Sequence, residues 1–303
     1  MNAQRTLRRS ISCAGIGLHS GKKVTLSLKP APSDFGIRFR RSDLGGVEVA
    51  ANISHLGAIN LATGLTQDAV NVSTVEHLLA ALVSLGVDNV IVELNSAEVP
   101  IMDGSSAPFS YLIHEAGIKR LPAARRYMKV LRPLTLTRGD KRIAIYPSDH
   151  FKVTYSIAFD HPMLRHQSRT IRITEETFID EIAPARTFGF LKEVEWMRQQ
   201  GLALGGSLEN AIVIGDTGVL NNSLRFDDEF VRHKILDVIG DLALVGHPLI
   251  GHVVAHRGGH ALHTEFAATI LSEPDAWTLV EVPVDLPVLA PGAPALSGAR
   301  AVN

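Results

Sequence analysis

Two stretches of sequence decide the fold: STVEHLLAALVSL at Ser73–Leu85 and FVRHKILDVIGDLALV at Phe230–Val245. In both, apolar residues recur with the period of a helix that buries one face. Each stretch has a histidine near its start and leads through a glycine-containing turn into a strand-like run, at Asn89–Leu94 and at Leu249–His256. The repeated order of helix, turn and strand predicts two related domains.

Short alternating segments accompany both helices and predict sheets. Thr6–Arg41 contains VTLSLKP and IRFRR between the turn-forming runs LHSGKK and PSDFG, and the second half contains LTLTRG, KRIAIYP and KVTYSIAF. The basic, proline-containing run Lys119–Arg126 is predicted to be the linker between the two domains. We therefore predict domain I at residues 1–122 and domain II at residues 127–282. Residues 283–303, rich in Pro, Ala and Gly, are predicted to be a loose tail.

Composition and charge limit what the protein can bind. Apolar residues make up 46% and charged residues 20% of the 303 residues, which is enough material for a full core. The 30 basic and 31 acidic residues nearly cancel, so no strong field attracts nucleic acid or an anionic membrane. The N-terminus lacks a signal-peptide pattern, no window approaches about 20 apolar residues, and the single Cys13 suits a reducing compartment. We expect a soluble, cytoplasmic monomer without nucleic-acid binding or stable membrane insertion.

The first candidate site is Glu76-His77 at the start of the first helix. Ser73 and Glu76 have the spacing of a capping box, in which the Glu76 carboxylate only accepts the Ser73 backbone N–H. His77 would then be exposed. Alternatively, a helix start that faces a cleft can place a metal-binding imidazole beside a carboxylate base. From these residues alone, the capping box is the simpler interpretation of Glu76.

The second candidate site is a polar row of His233, Asp237 and Asp241, four residues apart on one face of the second helix. A solvated His–Asp pair would explain the row. A metal site would also explain it, because an i, i+4 pair brings an imidazole and a carboxylate within about 6 Å of each other. His77 on the matching helix would supply a third ligand and leave a position open for water.

A third histidine-containing run, His256–His260, ends a strand at Gly258-Gly259, where glycine allows close approach of the backbone to a site. An exposed histidine in an ordinary turn is the competing interpretation. With 13 histidines in the chain, some have no catalytic role. We assign the following as incidental: His55, His114, His150, His166, His247, His252 and His263.

The segment that follows Thr187 interrupts the repeat of the two halves. Residues 190–220 contain the amphipathic run LKEVEWMRQQ, a glycine break and the apolar run NAIVIG. This insertion is either an additional part of the core or a wall over an apolar ligand.

Taken together, these motifs resemble the zinc-dependent UDP-3-O-acyl-N-acetylglucosamine deacetylases, which act in lipid A synthesis in Gram-negative bacteria. The resemblance covers about Leu7 to Ala267. It rests on motifs in matching order: GIGLHSG from Gly15, STVEHLLAAL from Ser73, DN from Asp88, PIMDGSSAPF from Pro100, ARTFGF from Ala185, HKILDVIGDL from His233 and GGHAL from Gly258. The fold that it implies is α+β, with two similar domains, each a β-sheet with helices, stacked as a four-layer β-α-α-β sandwich.

The resemblance also implies roles for individual residues. His77, His233 and Asp237 would hold the metal, expected to be Zn²⁺, with Fe²⁺ as an alternative in the cell. Glu76 would be the general base and His260 a cationic general acid.

Further roles follow from the same resemblance. Asp241 would be the carboxylate partner of His260, with Thr187 and Lys234 at the developing oxyanion. The insertion at about residues 190–220 would form a passage for the acyl chain. Contacts with the UDP-linked acylated amino sugar are expected at Phe188, Phe159, Lys141, Arg257 and His19.

The implied reaction is metal-dependent hydrolysis of the acetamide of UDP-3-O-[(R)-3-hydroxyacyl]-N-acetylglucosamine. It would give the free glucosamine derivative and acetate, the committed step of lipid A biosynthesis. Two alternatives remain open: an iron oxygenase with two histidines and one carboxylate, and a non-catalytic sugar-nucleotide binder with a structural metal. Glu76 beside a ligand favours hydrolysis over oxygenation.

Overall fold

The computed structural model describes residues 3–59, 61–161, 164–221 and 223–281. The predicted tail at 283–303 therefore lies outside the described residues. The α-helices of the described part are α1 Glu76–Ser84, α2 Ala107–Ala116, α3 Glu175–Thr177, α4 Leu191–Gln199, α5 Glu229–Leu242 and α6 His260–Ser272.

The strands are named in chain order. They are β1 Ala3–Leu7, β2 Ile11–Ile16, β3 Lys23–Pro30, β4 Ile37–Arg41, β5 Val47–Ala50, β6 Leu65–Gln67, β7 Val70–Val72, β8 Val90–Leu94, β9 Ile118–Ala124, β10 Arg126–Val130, β11 Leu134–Arg138, β12 Lys141–Tyr146, β13 Lys152–Ile157, β14 Gln167–Arg172, β15 Phe188–Phe190, β16 Ile212–Ile214, β17 Leu249–Ile250, β18 His252–His256 and β19 Trp277–Glu281.

Two five-stranded sheets share one topology. The first has the strand order β2-β3-β8-β4-β5, and the second has the order β11-β12-β18-β13-β14. In each sheet the central strand, β8 or β18, is the one that comes after the helix, α1 or α5. It runs antiparallel to one neighbour and parallel to the other. The prediction of two similar halves is confirmed.

The helices lie between the two sheets. Helix α1 packs against α5, α5 contacts β13 and β14, and α6 contacts β11 and β12, while α2 packs against α1 and β2. Buried apolar residues form a continuous core through these layers, from Leu26 of the first sheet through Leu78 and Ile235 of the helices to Val253 of the second sheet. The predicted α+β sandwich is confirmed.

The start of α1 differs from the capping-box interpretation. The helix begins at Glu76 and has no side-chain cap, because Thr74 adopts φ 58° and the Ser73 backbone N–H donates to the Ala97 carbonyl instead. The Glu76 carboxylate is therefore not bonded to Ser73. The assignment of Glu76 to a structural cap is wrong.

The run predicted to be a linker is regular structure. Lys119–Arg126 falls mostly within β9, which pairs antiparallel with β1, and β10 begins at Arg126 and pairs with β17 and β19. Pro122 is tolerated because β9 has a single partner strand, so its other edge needs no backbone donor. The chain thus passes from one half to the other through paired strands.

Among the described residues, no helix combines the length and the apolar character required to cross a bilayer.

Candidate active site

The starts of α1 and α6 and one face of α5 meet between the sheets. Two groups of side chains there have the composition of a metal site. We call the first the His77 cluster, made of His77, His233 and Asp237, and the second the His260 cluster, made of Asp241, His260 and His263. In each, the nitrogen and oxygen atoms that could bind a cation lie within 4.8 Å of one another.

The His77 cluster is almost completely buried. Oδ1 of Asp237 lies 3.2 Å from Nε2 of His233 and 3.7 Å from Nε2 of His77. The two imidazole rings meet edge to face with centroids 4.9 Å apart. His77 is only 4% exposed, so its expected exposure under the capping-box interpretation is wrong.

Hydrogen bonds around this cluster leave its inner lone pairs free. Nδ1–H of His233 donates to the Ala185 carbonyl at 3.1 Å, which leaves Nε2 unprotonated. Burial lowers the pKa of His233 to about 3, so the ring is neutral. Oδ2 of Asp237 accepts from Nζ of Lys234 at 2.7 Å, whereas Oδ1 is buried and has no hydrogen-bond partner among the described residues. An orphan carboxylate oxygen between two imidazoles fits a divalent cation.

Glu76 lies beside this cluster and faces His260. Its Oε2 accepts the Thr63 backbone N–H at 3.1 Å, and its Oε1 lies 3.9 Å from Nε2 of His260. Burial raises the pKa of Glu76 above its ordinary value. A carboxylate with a raised pKa, close to an imidazole and to a cation site, is placed to accept a proton.

The His260 cluster differs from the first in its hydrogen bonding. Oδ2 of Asp241 lies 2.9 Å from Nδ1 of His260 and 2.8 Å from Nδ1 of His263, and Oδ1 accepts from the Thr63 hydroxyl at 2.5 Å. Burial acts to lower the pKa of His260, but the carboxylates of Asp241 and Asp237 outweigh it and raise the pKa to about 10. His260 is therefore a cation at neutral pH in this arrangement.

Gly240 allows α1 and α5 to bring the two clusters together. A Cβ atom at this position would lie 2.1 Å from the Glu76 carbonyl oxygen, a distance that no side chain tolerates. Because Gly240 stands between Asp237 and Asp241 in sequence, the close helix crossing places Glu76 between the two clusters.

An aromatic wall borders the His77 cluster. The ring of Phe188 packs edge to face on Phe230, with centroids 5.1 Å apart, and lies 6.1 Å from the rings of both Phe159 and His233. Nζ of Lys234 lies 5.3 Å from the centroid of Phe188. The structure thus brings Phe159, Phe188 and Lys234 together beside the candidate metal ligands.

The insertion forms a cavity of about 280 Å³ next to this wall. Its lining is mainly apolar and includes Val194 and Met197 of α4, and it reaches Thr187, Phe188 and His19. Both ring nitrogens of His19 are buried and have no hydrogen-bond partner in the described part of the chain.

Ile212, in the apolar run NAIVIG of the insertion, does not line the cavity: it is fully buried in the core, whereas the neighbouring Val213 lines the cavity. Lys141 and Arg257 are both exposed, at neighbouring ends of β12 and β18, and Nε of Arg257 pairs with Asp140 at 3.0 Å. No contact places them on either cluster within the described ranges, and their role remains a prediction.

Sequence reasoning missed several residues of the site. His263 was assigned as incidental, which is wrong: it is fully buried and bonded to Asp241. Its spacing of three residues from His260 puts both on one face of α6, a signal that could have identified it. Thr63 and Tyr155 had no such signal, because their contacts with the His260 cluster join distant parts of the chain.

Comparison with known proteins adds an independent finding. A family model described as UDP-3-O-acyl N-acetylglycosamine deacetylase matches residues 4–272. The chain belongs to this family. A deacetylase of this name from Pseudomonas entomophila is 49% identical over 284 residues, covering 92% of this chain and 94% of the relative. One from Cellvibrio japonicus is 48% identical over 299 residues, covering 96% and 99% respectively.

A relative of the same name from a Geobacter species is 50% identical over 280 residues, which cover 92% of both chains. The resemblance expected from the motifs is confirmed, as is the assignment to a family of deacetylating enzymes. The motifs that carry it, from Gly15 to Leu262, lie within the matched residues of the family.

Proposed function

We propose that this chain hydrolyses the acetamide of UDP-3-O-[(R)-3-hydroxyacyl]-N-acetylglucosamine and releases acetate and the free amine. The observation that carries the proposal is the position of Glu76. Its carboxylate stands between a buried cluster with an orphan acceptor, Oδ1 of Asp237, and a cationic imidazole, His260. Amide hydrolysis needs a cation that polarises the carbonyl, a base that activates water and an acid that protonates the leaving amine. The His77 cluster, Glu76 and His260 could supply these three functions.

His77, His233 and Asp237 are the residues that would hold one divalent ion. Two imidazoles and a carboxylate suit Zn²⁺ and also accept Fe²⁺. When bound, the ion would supply Lewis acidity that polarises the amide carbonyl and acidifies water. The hydrogen bond from His233 to Ala185 fixes the ring that faces the ion, and Lys234 orients the Asp237 carboxylate.

Two of the chain's own residues move the protons. Glu76 removes a proton from the attacking water while the water oxygen bonds to the acetamide carbonyl carbon. His260 then gives its Nε2 proton to the amide nitrogen as the C–N bond breaks, so the amine leaves neutral together with acetic acid. The acid ionises to acetate, and the proton taken up by Glu76 restores the charge of His260. Asp241 holds the opposite nitrogen, Nδ1, and keeps the imidazole oriented and charged.

Thr187 and Lys234 are proposed to stabilise the oxyanion. Thr187 lines the insertion cavity directly before Phe188 in the chain, and Nζ of Lys234 lies 5.3 Å from the centroid of the Phe188 ring. A preorganised hydrogen-bond donor at a developing oxyanion lowers the activation free energy by about 3 kcal/mol.

The remaining substrate would extend away from the ion in two directions. The acyl chain would occupy the cavity of the insertion, residues 190–220, because the lining of that cavity is mainly apolar and reaches Thr187. Phe159, Phe188 and His19 would contact the sugar and the chain. Lys141 and Arg257, as exposed cations, would meet the diphosphate.

Other predictions keep their status as proposals. We place domain I at residues 1–122, which supplies Glu76 and His77, and domain II at residues 127–282, which supplies the remaining catalytic groups. A cytoplasmic location is proposed on the single Cys13, which suits a reducing compartment, and a monomeric state is proposed with it.

Acetate release from UDP-3-O-(3-hydroxyacyl)-N-acetylglucosamine, with and without a chelator, tests the function. We expect acetate and free amine in equal amounts, loss of turnover with the chelator and recovery with Zn²⁺. Circular dichroism on the chelated protein separates an enzyme from a binder with a structural metal, since only the latter unfolds. Consumption of oxygen with a 2-oxo acid, without acetate release, would contradict the proposal and favour an iron oxygenase.

A further inference from the structure

A buried chain of hydrogen bonds continues from Asp241 on the side away from Glu76. Nδ1 of His263 lies 2.8 Å from Oδ2 of Asp241, and Nε2 of the same ring lies 3.0 Å from the Tyr155 hydroxyl. The rings of His263 and Tyr155 meet edge to face, with centroids 5.8 Å apart. Both residues are completely buried.

The direction of each hydrogen bond follows from the chemistry of the groups. The ionised Asp241 carboxylate can only accept, so Nδ1 of His263 carries a hydrogen and donates it. Burial raises the pKa of Tyr155 well above its ordinary value, so its hydroxyl keeps its proton and donates to Nε2 of His263. Burial likewise lowers the pKa of His263, so the ring is neutral. The order is Tyr155 to His263 to Asp241.

The two imidazoles on Asp241 therefore differ in charge. His260 is the cation, while His263 is a neutral donor to the same oxygen, Oδ2. The Thr63 hydroxyl donates to Oδ1, so three donors, two from α6 and one from the loop before β6, fix the rotation of the carboxylate. A proton on Nε2 of His263 would create a second cation on Asp241 and weaken its hold on the first.

We propose that His263 and Tyr155 are positioning residues that hold the Asp241 carboxylate and keep its negative charge available to His260. The inference rests on the proposed function for its catalytic consequence. The Tyr155 hydroxyl occupies the lone pair of Nε2 and excludes a proton from it. His263 then supplies a rigid N–H without a charge, and Asp241 directs Nε2 of His260 towards Glu76.

The charged and titratable groups that face His260 come from several elements. Glu76 lies on α1, Asp237 and Asp241 on α5, His263 on the same helix as His260, and His19 on the turn after β2. Asp241 bonds Nδ1 of His260, and the centroid of the His263 ring lies 6.4 Å from that of the His260 ring. The hydrogen bonds from Tyr155 to His263 and from His263 to Asp241 connect a substitution at Tyr155 to this nitrogen.

Three variants separate a positioning role from simple packing. Tyr155→Phe removes one hydroxyl and keeps the ring, and His263→Leu removes the ring's donor and acceptor. His263→Asn retains an amide N–H that can donate to Asp241. Thr154→Val is the matched control, because Thr154 precedes Tyr155 on β13, points to the opposite face and bonds a different imidazole, His252.

We expect kcat to fall about tenfold in Tyr155→Phe and about a hundredfold in His263→Leu, the range known for groups that orient a catalytic residue. The alkaline limb of the kcat/KM profile should move to lower pH in both. His263→Asn should recover most of kcat, and Thr154→Val should match the wild type. Metal content and circular dichroism are measured on the same samples, so only folded, metallated protein is compared.

Nitrogen-15 NMR of labelled histidine provides a readout that needs no turnover. In the wild type we expect His263 as the neutral Nδ1–H form and His260 protonated on both nitrogens at neutral pH. A wild type that shows these states but releases no acetate contradicts the proposed function alone. Active Tyr155→Phe and His263→Leu proteins with wild-type kcat and an unmoved alkaline limb overturn the positioning role, as does a charged His263 in the wild type.

Discussion

The His77 cluster and the His260 cluster contain the same residue types, two histidines and one aspartate, but their hydrogen bonds differ. In the first, Oδ1 of Asp237 lacks a partner among the described residues. In the second, both oxygens of Asp241 accept from N–H or O–H groups. A cation needs free lone pairs, so only the first arrangement can hold one without breaking hydrogen bonds. Composition and spacing do not separate a metal site from a proton site, whereas the state of the lone pairs does.

The largest expected effect is a loss of turnover without a loss of metal, which separates proton transfer from metal binding. Glu76→Gln and His260→Ala should each lower kcat by about 10²–10⁴, the usual contribution of a general base or acid. Both should keep one metal per chain, because neither residue belongs to the His77 cluster. Steady-state kinetics and metal content of the same preparations check this. Loss of metal together with activity would mean that the clusters cannot be treated as separate.

The second prediction concerns the insertion cavity, which lies outside both clusters and is proposed to bind the acyl chain of the substrate. Each buried CH₂ contributes about 0.8 kcal/mol, so five buried groups are worth about 4 kcal/mol, or a thousandfold in kcat/KM. We expect UDP-N-acetylglucosamine without the chain to be poorer by at least this factor. Val194→Thr and Met197→Gln should reduce the difference, and Glu195→Gln, exposed on the same helix, should not. Equal kcat/KM values on the two substrates would mean that the acyl chain does not bind in this cavity.

The close approach of the helices is tested by Gly240→Ala. The added Cβ would lie 2.1 Å from the Glu76 carbonyl and force α1 away from α5. Overpacking of this kind costs about 1–3 kcal/mol of unfolding free energy, measured by denaturant titration. Gly259→Ala is the control, since its Cβ meets nothing within 4 Å and its φ of −163° is ordinary extended backbone. Equal stability of the two variants would argue against the tight crossing.

The pH dependence of stability tests the pairing of His260 with Asp241. The pKa of His260 is raised to about 10 in the folded protein, against about 6.5 unfolded. The stabilisation is therefore complete below about pH 6.5 and is lost as the pH rises from there through about 10. Asp241→Asn removes the negative charge that contributes most to raising the pKa of His260, so stability should fall less as the pH rises. Denaturant unfolding of the metal-free proteins from pH 6 to 10 measures it, and identical profiles would contradict the pairing.

Local sequence patterns predicted much of the fold and the His77 cluster. The helical period located α1 and α5, and the i, i+4 spacing of His233 and Asp237 survives in the structure because a helix fixes it. His77 was predicted as the third ligand from the repeat of the two halves.

The His260 cluster was harder to predict because its contacts are not local. Thr63 lies 178 residues from Asp241 along the chain, and Tyr155 lies 108 residues from His263. Such pairs form only when the two sheets enclose the helices. The capping-box error at Glu76 has a local cause, since the positive φ of Thr74 diverts the backbone that a cap would use.

The metal content of two matched variants, Asp237→Ala and Asp241→Ala, tests the difference between the clusters most directly. Both variants remove a buried aspartate of α5, and the two positions are four residues apart. In each case the lost carboxylate lies next to two imidazole rings. Zinc titration of the folded, metal-stripped proteins should show that Asp237→Ala loses the tight site while Asp241→Ala binds one ion per chain and remains nearly inactive. Tight binding of one ion by Asp237→Ala, with none by Asp241→Ala, would contradict the assignment.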